Sequence, residues 1–268
     1  MKYLRNLFLF TLLSSIPVLA GVQENNEFRW QGRLAEGKTL EIKSINGEVR
    51  AEEATGAEVE VVAVKRGWRG NPNAVKVEMV EHPDGITFCA VYQQRDGQWG
   101  KCQPGAGGQS NHKNDTSVSF TVRVPAGVHF AGRTVNGSVN AKGLDGNVMA
   151  TTVNGDVRVS TTGYAQASTV NGSINVACGR ANWSDALHFN TVNGSIEVTL
   201  PDSTQTEINA SLVNGAITTD LPLVIKENID KGHLNGVLGS SGENSSGRRL
   251  RLNTVNGSIT VKSGRSAS

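Results

Sequence analysis

The chain has 268 residues, with 26 Lys and Arg against 24 Asp and Glu and a formal net charge of +2. Two bases near the start, Lys2 and Arg5, account for the whole excess, so the remainder is neutral and offers no electrostatic case for nucleic acid or an anionic membrane. The 31 glycines and the absence of helical periodicity beyond the N-terminal segment predict a turn-rich all-β chain.

Residues 1–20 read as an export signal. Lys2 and Arg5 form a basic head, Leu7 to Leu13 an apolar stretch, and Val18-Leu19-Ala20 a small-residue cleavage site before Gly21. The apolar run is too short to span a bilayer comfortably, no second run follows, and no Cys stands at the cleavage point. The expectation is an exported protein, periplasmic or extracellular, with no transmembrane segment in the mature chain. A lead-in, 21–36, precedes the first Asn-Gly motif, Ile45-Asn46-Gly47. Strands are predicted at Ala57–Lys65, Val75–Glu81, Ile86–Tyr92 and Ser117–Val124, with Pro83-Asp84-Gly85 as a turn. Residues 37–129 are therefore expected to hold the first motif and an antiparallel β segment that precedes or caps a repeat array. Within it, 93–116 (QQRDGQWGKCQPGAGGQSNHKNDT) has the length and composition of a mobile loop. In an oxidising compartment a Cys89–Cys102 bridge would restrain that stretch, leaving Cys178 as a free, buried thiol.

From residue 130 to 262 the chain repeats itself. An aliphatic residue followed by Asn-Gly recurs at Asn136, Asn154, Asn171, Asn193, Asn214, Asn235 and Asn256, spaced 18, 17, 22, 21, 21 and 21 residues apart. A period near twenty means one supersecondary unit reused and stacked. Apolar residues lie three and five positions before the aligned aliphatic residue and four and six after it, as in Val148, Ala150, Val157 and Val159 around Val153. The inward face thus changes parity, and the change is expected at the Thr or Ser preceding the motif (Ser44, Thr134, Thr152, Thr169, Thr191, Thr254). On that reading Val135, Val153, Val170, Val192, Val213 and Val255 form one buried column. Either a stack of antiparallel hairpins or a β-solenoid with Asn-Gly corners accommodates the pattern, and the shared register and long return segments favour the solenoid. The eight asparagines, Asn46 included, are expected as structural corners. Residues 263–268 form a polar tail.

No catalytic constellation is legible. His82, His112, His129, His188 and His233 share no metal-ligand spacing, and no nucleophile elbow, phosphate loop or Cys-x-x-Cys occurs. No catalytic, cofactor-binding or metal-binding residue is assigned, and no cofactor is expected. Arg95, Trp99, Lys101 and His112, in the irregular stretch, are the candidate contacts for a partner.

The exported start, Ile45-Asn46-Gly47-Glu48-Val49, the Val124-Pro125-Ala126-Gly127 connection and the closing Thr254-Val255-Asn256-Gly257-Ser258-Ile259 together resemble a bacterial family of β-strand-repeat proteins, provisionally described as adhesins with a domain of unknown function. The resemblance covers roughly 37–262 and implies a β-solenoid in an envelope or extracellular setting. The Leu234 copy departs from the pattern, with Lys231 at an apolar position and His233 before Leu234. The expected function is a non-enzymatic binding or structural module whose partner is a cell-surface or envelope protein or a glycan. The alternatives are a carbohydrate-active β-helix enzyme and a scaffold subunit that polymerises end to end.

Overall fold

The computed structural model describes residues 22–24, 26–67, 71–107, 114–226, 232–239 and 248–264. The expected export signal and Lys231 lie outside the described residues, as does most of the expected tail. The described chain is all-β apart from one short 3-10 turn, Pro72–Ala74, and forms two eleven-stranded mixed sheets. None of its helices is long and apolar enough to cross a membrane.

Each turn of the repeat gives one strand to each sheet. Val148–Thr151 lies in the second sheet and Val157–Thr161 in the first, and the next turn places Ala165–Ser168 and Ile174–Cys178 directly beside them, in parallel and in register. Alternation explains which face is covered. In Val157–Thr161, Val157 and Val159 point inward and are buried, whereas Arg158 points to solvent. The two inward faces close on one core, in which Phe88, Phe120, Phe130 and Phe189 are fully buried.

Seven rungs share an Asn-Gly corner, and three ladders run along it. Asn136 Nδ2 donates to Asn46 Oδ1 at 2.8 Å, and the same bond joins Asn154 to Asn136, Asn171 to Asn154, Asn193 to Asn171, Asn256 to Asn193 and Asn214 to Asn256. The glycines form the second column. A Cβ on Gly155, Gly172 or Gly194 would sit 2.2, 2.0 or 2.0 Å from the carbonyl oxygen of the glycine one rung away. Close backbone approach, more than left-handed angles, is what demands glycine there. Third, Thr134, Thr152, Thr169, Thr191 and Thr254 donate their hydroxyls to the carbonyls of Gly47, Gly137, Gly155, Gly172 and Gly194 at 2.7–2.9 Å. Each such bond contributes about 1 kcal/mol net.

This third ladder corrects the expected position of the parity change. The threonines are buried at 2–5 % exposure, while Val153, Val170, Val192 and Val255 are 36–39 % exposed, Val213 is 70 % exposed and Val135 is only partly buried. There is no buried valine column. Thr keeps the upstream parity because its hydroxyl has a carbonyl to satisfy inside the corner. The phase is lost over the following Val-Asn-Gly, on the convex side, where an aliphatic residue meets solvent.

Spatial order differs from chain order at both ends. The first rung in sequence, Thr39–Lys43 with Val49–Glu53, lies inside a rung made by Gly85–Tyr92 and Ser117–Val124. The last rung, Arg249–Asn253 with Ile259–Gly264, is inserted between the Asn193 rung and the Asn214 rung. Two strands expected in an antiparallel segment, Gly85–Tyr92 and Ser117–Val124, thus run parallel to the Asn46 rung. Antiparallel pairing occurs beyond them: Val59–Arg66, Glu27–Gly32 and Val22–Glu24 extend the first sheet, and Val75–His82 extends the second. At the far end His233–Leu238 pairs antiparallel with Thr206–Ser211 and with Leu223–Ile225. Asn235 consequently lies in mid-strand opposite Asn209 and is not a corner; without an apolar residue at 231 and with His233 at its start, this copy cannot enter the parallel stack.

Candidate functional site

The densest polar chemistry lies on the outer face of the second sheet. In Thr39–Lys43, Leu40 and Ile42 fill the core, so Glu41 and Lys43 point away from it. Both are nevertheless buried, at 4 % and 2 % exposure. Thr87 and Cys89, outward on the adjacent strand, are fully buried as well. The cover is the stretch from Cys102 to Gly107, whose backbone bonds to the Glu41 and Lys43 side chains.

Three attachments hold it. Cys89 and Cys102 form a disulfide with Cα atoms 5.5 Å apart. The Lys43 ammonium donates to the carbonyls of Gln103, Gly105 and Gly107. The Glu41 carboxylate accepts from the Gly105 amide, the Thr87 hydroxyl and Arg133 Nε, each at 2.9 Å. His82 Nε2 stands 3.1 Å from the same hydroxyl. The carboxylate is thus saturated and ion-paired, which is what a buried charge requires. Desolvation by burial lowers the Lys43 pKa, opposed by the nearby Glu41 carboxylate and reinforced by Arg133.

Beside this cover runs a groove of about 580 Å³. Pro104 and Gly105 form one wall, and the floor is the exposed sheet face carrying His129, Arg133, Met149, Tyr164 and Gln166. His129 Nδ1 accepts from the Asn147 amide at 3.0 Å, and burial lowers its pKa. The imidazole is therefore held neutral with its other nitrogen as a donor. An aromatic face, an amide, an imidazole and a guanidinium in one concave surface suit reversible binding of a polar ligand with apolar faces. Among the described residues, no group of three or more His, Cys, Asp or Glu could hold a metal ion.

The candidate contacts read from the sequence fall elsewhere. Arg95 and Lys101 are exposed, Trp99 is half-buried with the Lys76 ammonium 4.6 Å from its ring centroid, and none of the three lines the groove. His112 lies outside the described residues. Cys178 is free and buried, with its thiol pushed up to about 12 by burial. Glu41, Lys43 and Arg133 went unread because a charged residue alternating with Leu and Ile looks like ordinary solvent-facing sheet. Only the path of the cystine-tethered segment reveals that they are covered.

No curated protein matches the chain. Among solved structures, a provisionally named cell adhesion protein from Clostridium sporogenes aligns over 88 % of this chain and 99 % of its own, at 12 % identity and a TM-score of 0.38. Provisionally named adhesins from Bacteroides fragilis and Parabacteroides distasonis each align over 90 % of this chain and 98 % of their own, at 12 % identity and a TM-score of 0.28. The family model described as Toastrack DUF4097 matches residues 129–262, the stretch from the Asn136 rung to the last strand. The chain belongs to the Toastrack DUF4097 family.

Proposed function

We propose that this protein is an exported, non-enzymatic β-solenoid of the cell envelope that holds a surface partner, glycan or protein, in the groove beside the covered Glu41–Arg133 pair. The observation that supports this most is how the polar groups are used. Glu41 and Lys43 are saturated by the cover, and the corner asparagines by each other, so neither set is free to make or break bonds. His129, Gln166 and the Tyr164 ring line one concavity on the sheet face. The test is retention of the purified chain on envelope glycans and cell-wall material, with turnover followed in parallel. Retention lost on Tyr164→Ala and Gln166→Ala, without turnover, is the expected result. Turnover abolished by a single acidic substitution would instead identify the carbohydrate-active enzyme.

End-to-end association is the second function with a specific observation behind it. The first sheet ends at the three-residue strand Ile217–Thr219, preceded by exposed Val213, and the second at Leu223–Ile225, where Val224 and Ile225 are exposed. Such an edge is a template for another chain. A scattering mass that rises with concentration would favour this scaffold role over a monomeric binding module.

A further inference from the structure

A second concavity, of about 550 Å³, opens on the outer face of the second sheet, where Thr206–Ser211 lies between Arg249–Asn253 and His233–Leu238. Its size lies within the range of small-molecule sites, roughly 300–1,000 Å³. Ile208, Leu250 and Leu252 turn into the core, so strand alternation leaves Glu207, Asn209, Arg249, Arg251 and Asn253 facing outward. Lys226 completes the group. Among the described residues of the lining only Ile208 has an apolar side chain, and that side chain belongs to the core.

Its charges do not balance. Lys226 Nζ donates to Glu207 Oε1 at 3.0 Å, and Arg249 Nε stands 3.6 Å from Glu207 Oε2. That carboxylate is the one anion among the described lining residues, against three cations. Arg251 is exposed and has no ion pair or hydrogen bond among the described residues; its neighbours across the strands are His188 and Asn209. Two guanidinium groups two residues apart on one strand face start roughly 6.6 Å from each other and repel. Unused acceptors stand beside them. Asn253 donates its amide to Asn190 Oδ1, and Asn209 donates its amide to Asn235 Oδ1. Among the described residues nothing donates to the carboxamide oxygen of Asn209 or of Asn253.

We infer that this concavity binds an acidic saccharide, with the sugar carboxylate on Arg251 and Arg249 and sugar hydroxyls on the Asn209 and Asn253 carboxamide oxygens. The planar guanidinium fork matches a carboxylate, and the charge on both partners strengthens the bonds. A bare carboxylate would leave the two amide oxygens unused, because it has no proton to donate, whereas the hydroxyls of a sugar acid supply those protons. An apolar peptide or a lipid would need an apolar anchor, which this lining does not offer. The site shares no residue with the groove at Tyr164, so either can fail without the other. A free sugar acid and a uronate within a polymer share the recognised chemistry and differ in length.

The experiment titrates the full chain by calorimetry with galacturonate, with its hexamer, with neutral maltohexaose and with a glutamate hexapeptide. Saturable binding of a galacturonate probe is expected, with none of maltohexaose and weaker binding of the peptide. Arg251→Gln should weaken the galacturonate complex about tenfold. Because Arg251 is exposed, the melting temperature of that variant should stay at the wild-type value. Asn209→Ala should weaken galacturonate binding and leave peptide binding unchanged, and Tyr164→Ala in the other groove should alter neither. Binding of the hexamer alone would support a polymer, and equal binding of the monomer a free sugar acid. No saturable binding of either galacturonate probe would overturn the assignment. So would peptide or maltohexaose binding as tight as that of the hexamer, or galacturonate binding that survives Arg251→Gln unchanged.

Discussion

The chain crosses from the second sheet to the first in two contrasting ways. In seven rungs the crossing takes a few residues, such as Thr169-Val170-Asn171-Gly172-Ser173, in which the Thr hydroxyl, the Asn side-chain amide and the backbone amides bond one rung away. In the rung of Gly85–Tyr92 and Ser117–Val124 the crossing is an excursion of more than twenty residues, whose described part is held by a disulfide and by hydrogen bonds to the Glu41 and Lys43 side chains. The short corner is stable because identical neighbours stack on it, so any substitution must suit three rungs at once. The excursion has no identical neighbour and must anchor itself, which frees its sequence to vary and lets it form the wall of a groove. Regularity sits where stacking demands it, and chemistry where stacking is interrupted.

Glycine substitutions test this contrast most severely. Gly172→Ala would force a Cβ to 2.0 Å from the Gly155 carbonyl oxygen, and it should destabilise the protein by about 3 kcal/mol or more. Gly97→Ala in the excursion meets nothing within 4 Å and carries only the strain of its φ of +80°, about 1–2 kcal/mol. Thermal or urea melts of the two variants should differ in that order, and equal losses would break the comparison.

The excursion should also carry its own pH response. Tyr92 donates its hydroxyl to the Thr116 carbonyl at 2.8 Å, and burial pushes its pKa from 10.0 up to about 12. A raised folded-state pKa means the contribution is complete below pH 10 and is lost as pH rises through 12, at most about 2–3 kcal/mol over that window. Urea midpoints of the wild type should fall between pH 10 and 12, and Tyr92→Phe should flatten that limb.

Glu41→Gln leaves Lys43 and Arg133 without their counter-charge beneath the cover. Because Arg133 retains 21 % side-chain exposure, the cost should be about 2 kcal/mol, below that of a fully buried broken pair. Hydrogen exchange should quicken at the Gly105 amide while the corner amides stay protected. The smallest effect belongs to Val192→Asp. With 39 % exposure on the convex side of the corner, it should change stability by no more than about 0.5 kcal/mol. A loss of several kcal/mol would restore the buried column that the sequence pattern suggested.

Periodicity made the repeat and its spacing legible because those are local and copied. It misplaced the inward residue at the corner because Thr and Val are nearly the same shape, and only the carbonyl one rung away distinguishes them. Asn235 misled for a related reason, since a motif reports backbone preference and not its neighbours in space. The groove was illegible because it forms where residues around positions 41, 105 and 164 converge, and no spacing encodes that meeting. The cystine was the partial exception, its two half-cystines lying 13 residues apart.

The interchange of rungs at the two ends bears on how the rod is completed. A linear array could be finished one coil at a time from the front and would lose a coil if cut short. Here the final residues, 249–264, fit between two rungs whose strands come earlier in the chain. Residues 249–264 must therefore be in place before the far end of the rod can close. A chain stopped before Arg249 would not be a shorter rod but a gapped one, with the Asn214 rung deprived of its neighbour. Both sequence-terminal rungs are keystones, and the completed rod cannot fray from either of them.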